Sequence, residues 1–183
     1  MAFSELDKRV PMAAAPIKYL PDGSVDWGDM WDSFCVLALD GGPPHRGTLL
    51  QAQQDADTSS AGYRFAVAEI CRGIDAVSGL RAAPAGPGWI AVECRSAGMV
   101  RWLADSIQAE NVAARAEQTR LLLPVGDYFT LKGEIKNVIT AVAKTTHYWG
   151  DHVPAEVKQT LELQARLERL RARVLGWVGR RAA

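Results

Sequence analysis

The chain has three histidines, His45, His147 and His152, and none of them lies on an apolar stripe. Imidazole titrates near neutrality, so each is a candidate to exchange a proton with a bound molecule. His45 sits in Asp40-Gly-Gly-Pro-Pro-His-Arg-Gly-Thr48, a segment that cannot belong to a regular helix or strand. Its glycines permit unusual turns, and Pro43 and Pro44 fix φ and remove two donors. A loop that stiff suits the aiming of side chains. Beside His45 it carries Arg46, able to grip a carboxylate or phosphate bidentately, and the hydroxyl of Thr48.

The second concentration of chemistry begins near Leu131. At about 100° per residue, Leu131, Ile135, Val138, Ile139, Val142, Thr145, Thr146 and Trp149 share one face of a helix, which must be core. Lys136, Asn137, Thr140, Lys144 and His147 fall on the opposite arc, with no carboxylate among them. Solvated faces usually mix signs, because pairs of opposite charge four residues apart stabilise a helix. A face holding only cations and uncharged polar groups suits an anionic ligand, an acidic partner, or another part of the same chain. The helix runs into His147-Tyr-Trp-Gly-Asp-His152, where Gly150 stops it and Pro154 suits the first turn of the next.

These residues define the expected site. A small anionic ligand would lie between the 41–48 loop and the 131–152 helix and junction. Arg46, Thr48, Lys136, Asn137, Thr140 and Lys144 would hold it, and His45 and His147 would supply acid/base chemistry. Two alternatives stand beside this reading. One is a non-catalytic accessory or assembly protein that docks a partner protein. The other is a metal site built from His45, His147, Asp151 and His152, although His-x4-His across a helix end is not a specific ligand pattern. No cofactor is indicated. The chain has no Gly-x-Ser-x-Gly, no Gly-x-x-x-x-Gly-Lys and no Gly-x-Gly-x-x-Gly, so covalent acyl transfer and nucleotide chemistry have no foothold. Cys35, Cys71 and Cys94 stand apart in apolar surroundings, with no Cys-x-x-Cys, and read as reduced, buried thiols.

The elements that must position these groups read as ααβαββαα. Residues 1–15 form a loose arm. Ile17–Val25 is a small hairpin around Pro21-Asp-Gly23, and Asp26 caps a first helix running to Ala38. Gln51–Ser60 is a polar, exposed connection. Ser59 or Ser60 caps a second helix, with Tyr63, Val67, Ile70, Ile74 and Val77 inward and Gly79 as its stop. Ala82–Gly88 reads as a linker. Trp89–Cys94 is a buried strand, Ser96 caps a third helix, and strands 112–117 and 119–125 turn about Gln118. Helices over about 131–149 and 154–178 complete the chain. The expected fold is α+β and a single domain over 1–183. Its helical half (16–80) supplies two N-terminal helices, and its βαββαα half (88–183) holds a small mixed or antiparallel sheet.

With 183 residues, 48% apolar and 23% charged, the chain can bury a sizeable core. Its formal net charge of zero argues against nucleic acid as a partner. No segment approaches the ~18 uninterrupted apolar residues of a membrane span. Glu5 and Asp7 precede any apolar run, so the amino terminus does not read as a secretory leader, and the expectation is a cytoplasmic protein. The neutrality hides an asymmetry. Residues 1–40 carry seven acids against three bases, and residues 154–183 seven bases against three acids. Leu163, Leu167, Leu170, Val174 and Trp177 step by four, three, four and three along the last helix. Together these features lead us to expect a homodimer. Trp27 and Trp177 read as interface residues, Trp31 and Trp149 as core.

Overall fold

The computed structural model describes residues 17–29 and 48–181, with side chains described through Ala172. His45, Arg46, Cys35 and Trp31, and most of the expected first helix, lie outside the described residues.

The hairpin forms as its Pro-Asp-Gly turn requires. Tyr19 bridges Val25, Leu20 N–H donates to Ser24 O at 2.8 Å, and Gly23 has φ 82°. Asp26 Oδ1 then accepts from Asp29 N–H at 3.1 Å, opening a helical turn at Trp27. Trp27 is not an interface residue. It is 1% exposed and its Nε1–H donates to Glu69 at 2.9 Å, so an acidic neighbourhood in sequence proved to be a core position with a carboxylate acceptor.

The sheet is antiparallel, with four strands in the order β1-β2-β4-β3: β1 Ala82–Pro84, β2 Trp89–Glu93, β3 Arg115–Glu117 and β4 Arg120–Pro124. Ala82–Gly88 is therefore no linker. Its first three residues form an edge strand, whose Ala and Pro content hid it from a propensity reading. Gln118 turns the β3–β4 hairpin with φ 56°, where the sequence places it. Ile90 lies opposite Leu123 and Val92 opposite Leu121, and these four, all 0% exposed, build the sheet's contribution to the core.

Four helices complete the described fold: α1 Ala61–Ser78, α2 Ala97–Ala109, α3 Lys136–His147 and α4 Ala155–Arg181. Ser60 Oγ accepts from Tyr63 N–H at 3.0 Å to start α1, and Gly79 ends it in the left-handed region at φ 64°. Ser96 caps α2 in the same manner, and Met99, Val100, Leu103 and Ile107 point into the core. The helix α2 covers β3 and β4, α3 packs against α1 and α2, and α4 packs on α2. The α1–α3 contact is close because Gly73 has no side chain: a Cβ there would overlap Ile139. The α+β class with a small antiparallel sheet is thus the observed one.

Two wide turns flank α3. Leu131–Ile135 and Tyr148–His152 both wind as π-type turns, the first interrupted at Gly133. Such turns aim side chains away from the ordinary helical spacing and recur at functional sites. Among the described residues no helix is long and apolar enough to cross a membrane.

Candidate functional site

The face of α3 opposite its apolar stripe is largely covered. Lys136 is 4% exposed and Thr140 8%, Asn137 and Lys144 are half-buried, and Ala141, Val142 and Ala143 are buried around them. The middle of the polar stripe therefore meets protein rather than bulk water, while His147 at its end stays partly exposed. Of the expected core face, Ile135, Val138, Ile139, Val142 and Thr145 are buried, and Leu131, Thr146 and Trp149 are partly buried.

Along that polar stripe Lys136, Thr140 and Lys144 follow one another four residues apart, on one side of the helix. Lys144 Nζ is paired with Glu110 Oε1, where α2 ends, and both side chains are more than four-fifths buried. The missing carboxylate is supplied across 34 positions of sequence, a distance at which no periodicity could reveal it. Burial pushes the Lys136 amine below the ordinary lysine range. Among the described residues, the buried Thr140 Oγ1 has no hydrogen-bond partner. A buried hydroxyl in that state costs free energy unless something else meets it.

Thr48 is exposed. Two residues on, the backbone of Leu50 is stitched to the segment just after Glu110. Leu50 N–H donates to Asn111 O at 2.8 Å, and Ala113 N–H donates to Leu50 O at 2.9 Å. The carboxyl end of the 41–48 segment therefore enters the fold beside the Glu110–Lys144 pair.

His147 closes α3, and the turn after it gathers the junction residues. His147 Nδ1 lies 3.1 Å from Asp151 Oδ2, and its Nε2 lies 3.3 Å from Nε2 of His152. The Tyr148 ring lies against His152, with ring centroids 5.0 Å apart. Lys158 holds Gly150 O at 2.9 Å, anchoring the start of α4 to the turn. Trp149 is half-buried and packs on Trp102 of α2, ring centroids 5.7 Å apart. Among the described residues no three of His, Cys, Asp and Glu gather to hold a metal ion.

Two features escaped the sequence. One is a groove of about 460 Å³ between α1 and the β1–β2 turn, lined by Tyr63, Val67, Pro84 and Pro87 with Arg64 and Thr58. Tyr63 shapes it by donating to Gly86 O at 3.1 Å while its hydroxyl accepts from Gly88 N–H at 3.2 Å. The available signal was Pro84-Ala-Gly-Pro-Gly88, which reads equally well as a flexible connection. The other is the exposure of the leucine face of α4: Leu163 is 59% exposed, Leu167 52% and Leu170 56%. The opposite side of the helix carries Leu161, Glu162, Ala165 and Arg169, and Ala165 is buried against the body. Val174 and Trp177 continue the stripe in sequence, with side chains outside the described part.

The thiols offer no chemistry of their own here. Cys71 and Cys94 are free, and burial raises both, that of Cys94 to about 12. No family model matches the chain, and neither the curated proteins nor the solved structures contain a match.

Proposed function

We propose that the protein is a non-catalytic assembly protein that pairs with a second copy of itself through the leucine face of α4. The observation that carries this reading is the row Leu163, Leu167 and Leu170, each more than half exposed, opposite the side by which the helix is held. Three large apolar side chains in one row on a helix are a recognition surface, whereas scattered ones are ordinary. Charge selects the arrangement. The first half of α4 carries Glu156, Glu162 and Glu168 against Lys158 and Arg166, and the second half carries Arg169, Arg171, Arg173, Arg180 and Arg181 with no acid. Parallel pairing would stack the arginines of the two copies, while antiparallel pairing sets each cluster beside the half of the other copy in which charges nearly balance. In sedimentation equilibrium of the full chain we expect a monomer–dimer transition. Leu163→Glu combined with Leu167→Glu should abolish it and leave the thermal midpoint close to that of the dilute, monomeric wild type, since both leucines are more than half exposed. A wild-type chain that stays monomeric at the highest attainable concentration overturns the reading.

A second reading rests on a different observation, the unpartnered hydroxyl of Thr140 beside buried Lys136. Here a small anion would accept from Thr140 and Lys136, with His147 at the end of the same helix as acid or base and with Arg46 and Thr48 contributed by the 41–48 segment. Lys144 then serves mainly to hold Glu110. Phosphate and small carboxylates are the probes. Thermal stabilisation of the wild type by one of them, lost in Thr140→Val, supports this reading; equal stabilisation of the two proteins removes it.

A further inference from the structure

We infer that His147 and His152 form an open binding site for one divalent transition-metal ion of the zinc class, with Asp151 as the outer partner that orients His147. In a uniform α-helix, residues five apart point about 140° away from each other around the axis, too far for their rings to meet. Between these two histidines the chain widens instead. Val153 N–H donates to Tyr148 O at 2.9 Å, an i→i+5 bond that closes the π-type turn and swings His152 back toward His147.

The resulting distances fit a shared ion. Two nitrogens that each sit about 2.0–2.1 Å from a tetrahedral metal stand about 3.3 Å from one another. The Nε2 atoms of His147 and His152 are 3.3 Å apart. Rings converging on that ion would place their centroids about 5 Å apart, and these are at 5.2 Å. At this separation one long N–H···N hydrogen bond joins the two rings, and a metal ion would replace its proton.

The surroundings supply what such a ligand pair requires. Asp151 Oδ2 at 3.1 Å from His147 Nδ1 favours the proton on that nitrogen, leaving the Nε2 lone pair for the metal. This carboxylate–histidine relation differs from the sequence reading, which took Asp151 as a direct ligand. His152 is exposed and the His147 side chain is 32% exposed, so an ion has access and its remaining positions face solvent. Two imidazoles without thiolate select zinc, nickel or copper over magnesium or calcium. With two protein ligands the remaining positions are open to water or an anion.

The test is calorimetric titration of the untagged full chain with zinc chloride and, separately, nickel chloride, at neutral pH. One equivalent of metal should bind, and His152→Ala and His147→Ala should each weaken binding at least tenfold. Asp151→Asn should weaken it about ten- to a hundredfold, as outer partners of ligating histidines do. All three positions are at the surface, and circular dichroism of each variant should match the wild type. Absence of binding to the wild type, or His152→Ala binding as well as the wild type, overturns the proposal. Unchanged affinity in Asp151→Asn would remove the role given to that carboxylate.

Discussion

Lys144 shows how far a side chain's meaning depends on what the fold brings to it. As one of several cations on a carboxylate-free face it asks for an anion, and the chain itself provides one in Glu110. The pair lies between α2 and α3 with 18% and 14% of the two side chains exposed. Removing one partner of such a pair leaves the other charge poorly solvated and unpaired, which costs several times more than the pair contributes. We therefore expect Lys144→Met to lower unfolding free energy by about 2–4 kcal/mol in urea titrations. The double variant Lys144→Met with Glu110→Leu should recover much of that loss, because no charge is then left unpaired. A single variant as stable as the wild type would show that water reaches Glu110 freely.

At the scale of elements, the sequence was legible wherever capping and apolar spacing acted together. Ser60 and Ser96 start α1 and α2, Gly79 stops α1, and Gln118 marks the β3–β4 turn, all as local chemistry dictates. What failed had non-local causes. Strand β1 is held by β2 rather than by its own propensity. On the polar stripe of α3 Lys136 and Thr140 are buried and Glu110 reaches Lys144 from the end of α2, which a helical wheel cannot contain. The candidate site was legible at the His147–His152 junction, where the residues are adjacent in the chain, and not at Glu110. The α2–α4 contact shows the same dependence. Glu162 of α4 accepts from Gly98 N–H at 2.9 Å and from Ser96 Oγ, so a carboxylate from one helix caps the positive end of another. Gly98 is required there, since a Cβ would come within 2.9 Å of Glu162 N. We expect Glu162→Ala to cost about 1–2 kcal/mol, the loss typical of an N-terminal cap, measured by denaturant unfolding. A cost near zero would assign the capping to Ser96 alone.

For the molecule as a whole, formal neutrality conceals a division of labour among the charges of α4. Glu162 is committed to α2, and Glu168 is paired with Arg101, also of α2. These acids are used within the chain, while most of the helix's arginines lie toward its carboxyl end. An association between copies that relies on them should weaken as salt rises, because exposed charges are screened over about 8–10 Å at ordinary ionic strength. One that relies on the leucines alone should not.

The edges of the sheet carry a consequence for the kind of assembly open to this protein. Along β1 the bonds to β2 are made at Arg81 and Ala85, so alternation turns the backbone of Ala82 and Pro84 away from the sheet, and Pro84 has no N–H to offer. At the other edge β3 is three exposed residues long and begins and ends in opposite charges, Arg115 and Glu117. Both borders are short and blunted as templates for another strand, which disfavours propagation of the sheet from molecule to molecule. Pairing through α4, as proposed above, would be self-complementary, and a two-fold contact is complete once two copies have met. An assembly of that kind would stop at a closed pair rather than grow into an open polymer.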